Sequence, residues 1–137
     1  MKTTFFLILL SWAFVSCTKN KLNVPINQAA VVYKNNPATW NNNITISWNK
    51  LIEESRCPNN ADCFWEGMAE VNFKVEGLSS VPIYISLGTL TSAPTNFSPN
   101  EIDTLGYHFK MINLTPYPEA FGSIDEKDYR ATLIVSK

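Results

Sequence analysis

The sequence has few of the residues that mark several large classes of protein. Its 137 residues include one histidine, three cysteines and five glycines, and 11 basic side chains stand against 12 acidic ones. The net charge of −1 gives no basic field for nucleic acid, and so little glycine excludes collagen-like or glycine-rich low-complexity sequence. With 45% hydrophobic and 17% charged residues, the composition is typical of one small globular domain.

Motifs of the commonest enzyme classes are also missing. The sequence contains no G-x-S-x-G nucleophile elbow, no G-x-x-x-x-G-K-[ST] phosphate loop and no H-E-x-x-H metal helix. His108 has no nucleophile in a recognisable setting, and its place between Tyr107 and Phe109 predicts a surface residue. We therefore assign no catalytic residue, cofactor or metal, and we predict no nucleic-acid partner.

The one long apolar run lies at the amino end. Lys2 precedes 11 almost wholly apolar residues, 5–15, which is well short of the ~20 residues of a permanent membrane-spanning helix. A short basic segment followed by such a run is typical of an export signal. We predict that residues 1–16 are a signal peptide, whose removal leaves 121 residues with a net charge of −2.

The run ends in Ser16-Cys17, and this junction resembles the lipobox of bacterial lipoproteins, with Phe14 in place of the usual leucine. The resemblance implies cleavage after Ser16 and lipidation of Cys17, which also accounts for the odd cysteine count. The alternative is a plain secretory signal that leaves Cys17 unmodified. Two or more acyl chains, at about 0.8 kcal/mol per buried methylene, would anchor the protein stably to a membrane.

Residues 17–28 are polar with a proline, and we predict a flexible tether here, followed by a single domain over residues 29–137. The Asn- and Lys-rich sequence resembles lipoproteins of the Bacteroidetes type. In that group, acidic residues shortly after the cysteine accompany surface export, and residues 18–21 contain none. The resemblance implies an outer-membrane lipoprotein that faces the periplasm.

Most of the remaining chain alternates apolar and polar residues with period two, which is typical of strands with one buried face. Six such segments are visible: 29–34, 44–48, 69–75, 81–87, 107–111 and 129–135. Turn signals separate them, and no helix-strand repetition occurs. We predict an all-β fold, a small antiparallel sandwich or barrel of about six to eight strands, with either a short helix or an extended loop over residues 118–127.

The most distinctive local feature is a pair of cysteines, Cys57 and Cys63, that encloses five residues rich in Pro, Asn and Asp. In an exported protein this arrangement predicts a disulfide, worth about 2 kcal/mol in the chain-entropy model. A zinc site is the alternative, but His108 is the only histidine available to complete it. A redox pair is a further alternative, although catalytic cysteines normally stand two residues apart.

The segment around the cysteines reads S-R-C-P-x4-C-x-W-x-G over residues 55–67. It resembles an uncharacterised family of small exported bacterial proteins, and the later Pro-Tyr-Pro of residues 116–118 and Asp-Tyr-Arg-Ala of residues 128–131 fit the same pattern. The resemblance covers residues 44–135. It implies a compact all-β domain and carries no activity.

Three kinds of function are consistent with these residues. Carboxylates cluster near Arg56, and they could form the acid pair of a small envelope hydrolase or a solvated edge with Arg56 as its counter-ion; they are Glu53, Glu54, Asp62, Glu66 and Glu70. The closed cysteine loop could instead be presented to an enzyme as an inhibitor.

Our leading hypothesis is a lipid-anchored, non-enzymatic envelope domain that binds a protein or glycan or supports an envelope assembly. Trp65, Tyr117 and Phe121 are the candidate binding surface because they lie near loops. Trp48 shares the register of Ile44 and Ile46, and we predict that it belongs to the core.

The lipid anchor is directly testable. We expect palmitate label to be incorporated into the wild-type chain, and Cys17→Ala to abolish it while leaving the Cys57–Cys63 pair intact. The measurement is radiolabelled or clickable palmitate followed by gel analysis. An unlabelled wild-type chain would contradict the lipoprotein interpretation.

Overall fold

The computed structural model describes residues 22–77, 81–88 and 99–137. The predicted signal peptide and Cys17 lie outside this range. The described part contains nine strands and one short 3₁₀ turn at Glu126–Asp128, and none of its helices is long and apolar enough to span a membrane. The strands are β1 Leu22–Val24, β2 Ala29–Tyr33, β3 Ala38–Trp40, β4 Ile44–Glu54, β5 Met68–Glu76, β6 Val81–Gly88, β7 Glu101–Thr104, β8 Tyr107–Thr115 and β9 Arg130–Ser136.

The strands form two sheets that pack face to face. One has the order β1-β3-β4-β5-β6 and the other β2-β9-β8-β7. All pairings are antiparallel except that of β1 with β3. The prediction of an all-β sandwich is therefore confirmed, and the barrel alternative is wrong. The strand count exceeds the predicted six to eight because β1, β3 and β7 are too short to show a period of two.

The core lies between the sheets and consists of the inward residues of each alternation. Trp40, Phe73, Phe109 and Tyr129 are its largest fully buried side chains. Trp48 is also buried, as predicted, and its ring meets that of Phe73 edge to face at a centroid distance of 5.8 Å. Burial of each large apolar side chain contributes about 1.5–3 kcal/mol, so this layer supplies most of the stabilisation of the domain.

Strand β4 departs from simple alternation after Trp48. Its register against β5 shifts between Trp48 and Lys50 and again between Leu51 and Glu53. Each shift places two residues opposite one and reverses which of the following residues point inward. Leu51 consequently packs against the core, and the second shift returns Glu54 to the inner side, at the end of the sheet.

Residues 22–28, predicted as part of the tether, belong to the folded domain. β1 pairs with β3, and Val24 is only 6% exposed. Past the strand, the Asn27 N–H donates to the Val135 carbonyl at 2.8 Å, and the Trp40 indole donates to the Gln28 carbonyl at 3.0 Å. The tether prediction is therefore wrong over residues 22–28, because Val24 and Ile26 pack against the core and the edge of the sheet supplies hydrogen bonds for a short strand.

The segment 118–127, for which a short helix and a loop were both open, is mainly a loop that ends in the 3₁₀ turn. The Glu126 carboxylate of that turn accepts hydrogen bonds from the Trp48 indole at 3.0 Å and the Leu51 N–H at 2.9 Å. The bond from Trp48 in particular lowers the pKa of Glu126. The turn thereby ties the last connection to the irregular part of β4.

The role of β1 is testable with two substitutions on the same strand. We expect Val24→Ala to lower the free energy of unfolding by about 2 kcal/mol, because it removes two buried methyl groups and leaves a cavity. Leu22→Ala is the matched control, since Leu22 is 53% exposed, and it should have little effect. Urea denaturation measures both. If neither substitution changed the free energy of unfolding, residues 22–28 would be a tether and not part of the folded domain.

Candidate functional site

Two loops meet at one end of the sandwich. The first joins β4 to β5 and contains the two cysteines, and the second follows β8 on the way to β9. We call residues 57–67 and 116–123 together the two-loop face. The opposite end of the sandwich carries the β7–β8 hairpin.

The first loop is closed by a disulfide between Cys57 and Cys63, whose Cα atoms are 5.9 Å apart. The predicted disulfide is thus confirmed, and the two bonded sulfurs are not available as thiolate ligands for zinc. Beneath it, the Cys57 N–H donates to the Glu66 carbonyl at 2.8 Å. Gly67 permits this close stem: its φ is +70°, and a Cβ there would lie 1.8 Å from the Ser55 carbonyl oxygen.

Arg56 lies immediately before the disulfide and is only 5% exposed. Its Nε and Nη2 bond both carboxylate oxygens of Glu54, at distances from 2.5 to 3.2 Å. The guanidinium also donates to the Leu114 carbonyl at 2.8 Å and the Pro116 carbonyl at 3.3 Å. Arg56 is therefore a counter-ion as predicted, but in a buried clamp that joins the two sheets rather than at a solvated edge.

Two tyrosine rings flank the guanidinium. The Arg56 Cζ lies 5.0 Å from the Tyr117 ring centroid and 6.0 Å from that of Tyr129, within the range of cation–π attraction. Tyr117 also donates from its hydroxyl to the Cys57 carbonyl at 2.8 Å. Burial, and then the neighbouring Glu54 carboxylate, raise the pKa of Tyr129 to about 12, so this hydroxyl keeps its proton at neutral pH.

Direct hydrogen bonds join the two loops at their outer ends. The Asn59 N–H donates to the Pro118 carbonyl at 3.1 Å, and the Asn59 side-chain amide donates to the Glu119 carboxylate at 3.0 Å. Together with the hydrogen bonds of Tyr117 to Cys57 and of Arg56 to Pro116, these contacts connect the two loops at three places. The two-loop face is consequently one preorganised surface.

This surface presents aromatic side chains to solvent. Of the predicted residues, Tyr117 is exposed, Phe121 is 70% exposed and Trp65 is half-buried. Phe64 is fully exposed, at 106% of its reference area, and was not assigned to the candidate surface from the sequence. Its position directly after Cys63 was the available signal, because a residue next to a short closed loop has little chain with which to reach the core.

No family model, curated protein or solved structure matches this chain. A cavity of about 220 Å³ opens beside the two loops, and its lining combines apolar and polar groups. It is lined by Arg56, Glu66, Gly67, Leu87, Asn113 and Tyr117.

The carboxylates predicted as a hydrolase cluster are divided among different surfaces. Glu54 points inward and is bound by Arg56. Glu53 on β4 stands directly opposite Glu70 on β5. Glu70 precedes the core residue Val71, so it lies on the other face of the sheet from the core. Asp62 is exposed in the cysteine loop. Glu66 is exposed and lines the cavity beside the two loops. The five carboxylates thus differ in exposure and setting, with Glu54 committed to Arg56. Within the described ranges no group of three or more His, Cys, Asp or Glu side chains is arranged to hold a metal ion.

His108 lies at the opposite end of the sandwich, in the β7–β8 hairpin. Its Nδ1 is 2.8 Å from Asp103 and its Nε2 is 3.6 Å from Glu101, which also pairs with Lys110 at 2.9 Å. The bond and charge of Lys110 lower the pKa of Glu101. His108 is about one-third exposed and belongs to a cross-strand charge cluster remote from the two-loop face.

The Arg56 clamp is testable by stability measurements. We expect Arg56→Ala to lower the free energy of unfolding by about 3–5 kcal/mol, because it leaves the Glu54 carboxylate and two carbonyl groups without their hydrogen-bond donor. The double variant Glu54→Gln/Arg56→Met should recover part of this loss, since no unpaired charge remains. Arg130→Ala is the control. The Arg130 Cζ lies 4.3 Å from the centroid of the Tyr33 ring at a partly exposed site, and loss of this contact should lower the free energy of unfolding by about 1 kcal/mol. Equal losses for both arginines in urea denaturation would contradict the clamp.

Proposed function

We propose that this protein is a non-enzymatic binding domain of the bacterial cell envelope, anchored through a lipid on Cys17, that captures its partner through the two-loop face. The observation that carries the proposal is the fully exposed Phe64 ring on a loop that a disulfide and a buried arginine hold rigid. An aromatic side chain gains nothing from such a position in the isolated domain, whereas in an interface it would serve as an anchor.

The rigidity of the loops supports a binding role. Association costs free energy for every side chain and loop that must be ordered, and a surface fixed before contact avoids much of that cost. Here the disulfide, the Arg56 clamp and the Asn59 hydrogen bonds fix the backbone of both loops. Phe64 and Phe121 are consequently carried on supported backbone while their rings stay largely exposed to solvent.

A second candidate within the same class is an enzyme inhibitor that presents the Cys57–Cys63 loop. The placement of Phe64 directly after the disulfide favours it, since a rigid loop with one protruding side chain can fill a specificity pocket. The hydrolase alternative has less support. Glu54, the carboxylate next to Arg56, accepts hydrogen bonds from the arginine on both oxygens and is already committed to the clamp.

We further propose that the domain belongs to the outer membrane and faces the periplasm. The support is the lipobox-like junction at Cys17 and the lack of acidic residues in positions 18–21. The Cys57–Cys63 disulfide is consistent with this, because disulfides persist in oxidising compartments such as the periplasm.

The binding role can be tested with substitutions that leave the clamp intact. We expect Phe64→Ala and Phe121→Ala, alone or combined, to weaken capture of envelope components, with about 30-fold lower affinity for a hot-spot residue. Neither should lower the melting temperature measurably, because both rings lie outside the core. Tyr117 is unsuitable for this test, since its hydroxyl bonds the Cys57 carbonyl.

The measurement is pull-down from envelope extract with the full chain in detergent, followed by titration of whatever is retained. Val31→Ala is the matched control, an exposed apolar residue on β2 away from both loops, and it should bind like the wild type. Unchanged capture by the Phe64→Ala/Phe121→Ala variant would place the binding surface elsewhere.

A further inference from the structure

The two-loop face carries negative charge and almost no accessible positive charge. No lysine or arginine occurs between residues 57 and 73 or between residues 111 and 126, although the whole chain has 11 basic and 12 acidic residues. Arg56, the nearest cation in sequence, is buried and neutralised by Glu54. The charge of the two loops themselves is therefore set by their carboxylates.

Two of these carboxylates accompany the exposed aromatic rings. Asp62 stands two residues before Phe64, and Glu119 stands two residues before Phe121, and both acids are exposed. The hydrogen bonds from Asn59 to the Pro118 carbonyl and the Glu119 carboxylate bring the two loops together. The face thus repeats one unit, an exposed phenylalanine with a nearby carboxylate, on two adjoining loops.

We propose that the partner is a protein whose contact surface has an apolar pocket for Phe64 with lysine or arginine at its rim. This deepens the proposed function and rests on it. Protein interfaces place apolar anchors at the centre and polar groups around them, and complementary charge at the rim steers encounter and rejects wrong partners. Asp62 and Glu119 would attract cationic side chains and repel acidic proteins and anionic lipid headgroups.

A neutral glycan fits these observations less well. It would offer no charge to complement Asp62 and Glu119, and desolvating a carboxylate without a cationic partner is unfavourable. Cationic side chains around an apolar pocket would meet both the carboxylates and the phenylalanines.

The test uses a phage library of random 15-residue peptides, selected against the full chain in detergent micelles. We expect the enriched peptides to combine apolar residues with an excess of Lys and Arg over Asp and Glu. One enriched peptide, made synthetically, is then the probe for titration. Its affinity should fall about tenfold on Asp62→Asn/Glu119→Gln and should weaken as salt rises from about 50 mM to about 300 mM.

The matched control removes the same two charges from the opposite end of the sandwich. Glu76 closes β5 and Asp103 lies in the β7–β8 hairpin, and Glu76→Gln/Asp103→Asn should leave the probe's affinity unchanged. Any of three results would overturn the inference. The enriched peptides could lack an excess of basic residues, or the two double variants could change the probe's affinity equally. The third is that the chain binds neutral glycans on an array and no peptides.

Phe64→Ala separates this inference from the function on which it rests. Loss of binding with Phe64→Ala but not with Asp62→Asn/Glu119→Gln would retain the two-loop face as the binding surface and remove the basic partner. Probe and extract binding that both survive Phe64→Ala would overturn the proposed function itself.

Discussion

The buried ion pair between Arg56 and Glu54 is the interaction on which the two-loop face depends. The guanidinium reaches from the end of the first sheet to the Leu114 carbonyl of the second sheet and to the Pro116 carbonyl in the loop that follows β8. Such a pair is costly to desolvate, and it is stable only when further hydrogen bonds satisfy both partners. Here they do, so one side chain closes the end of the sandwich and at the same time supports Tyr117 and the loop above it.

Much of the fold could be predicted from the sequence because six segments alternate apolar and polar residues over most of their length. Phe73 and Val71, for example, alternate with polar residues and are fully buried in the structure. The three missed strands have three or four residues each, too few to display a period. The shifts in β4 were also invisible, since they depend on which residues of β5 stand opposite Trp48 and Leu51, and pairing is not encoded in one segment alone.

The candidate site was only partly readable. The disulfide could be predicted from the local spacing of the cysteines together with the predicted export of the chain. The burial of Arg56 could not, because its carbonyl partners lie 58 and 60 residues away in the sequence, and a charged residue in a loop ordinarily faces solvent. Phe64 also lies near a loop in the sequence, but it was not chosen for the candidate surface, because sequence position alone does not separate an exposed aromatic ring from one that packs against the domain.

The position of strand β1 limits the distance between Cys17 and the folded domain that carries the two-loop face. The first described strand begins at Leu22, five Cα–Cα steps after Cys17, and five steps span at most about 17 Å in an extended chain. If Cys17 carries the proposed lipid, so short a connection would hold the domain close to the membrane surface. Its partner would then have to be a membrane component or a protein that reaches the membrane surface.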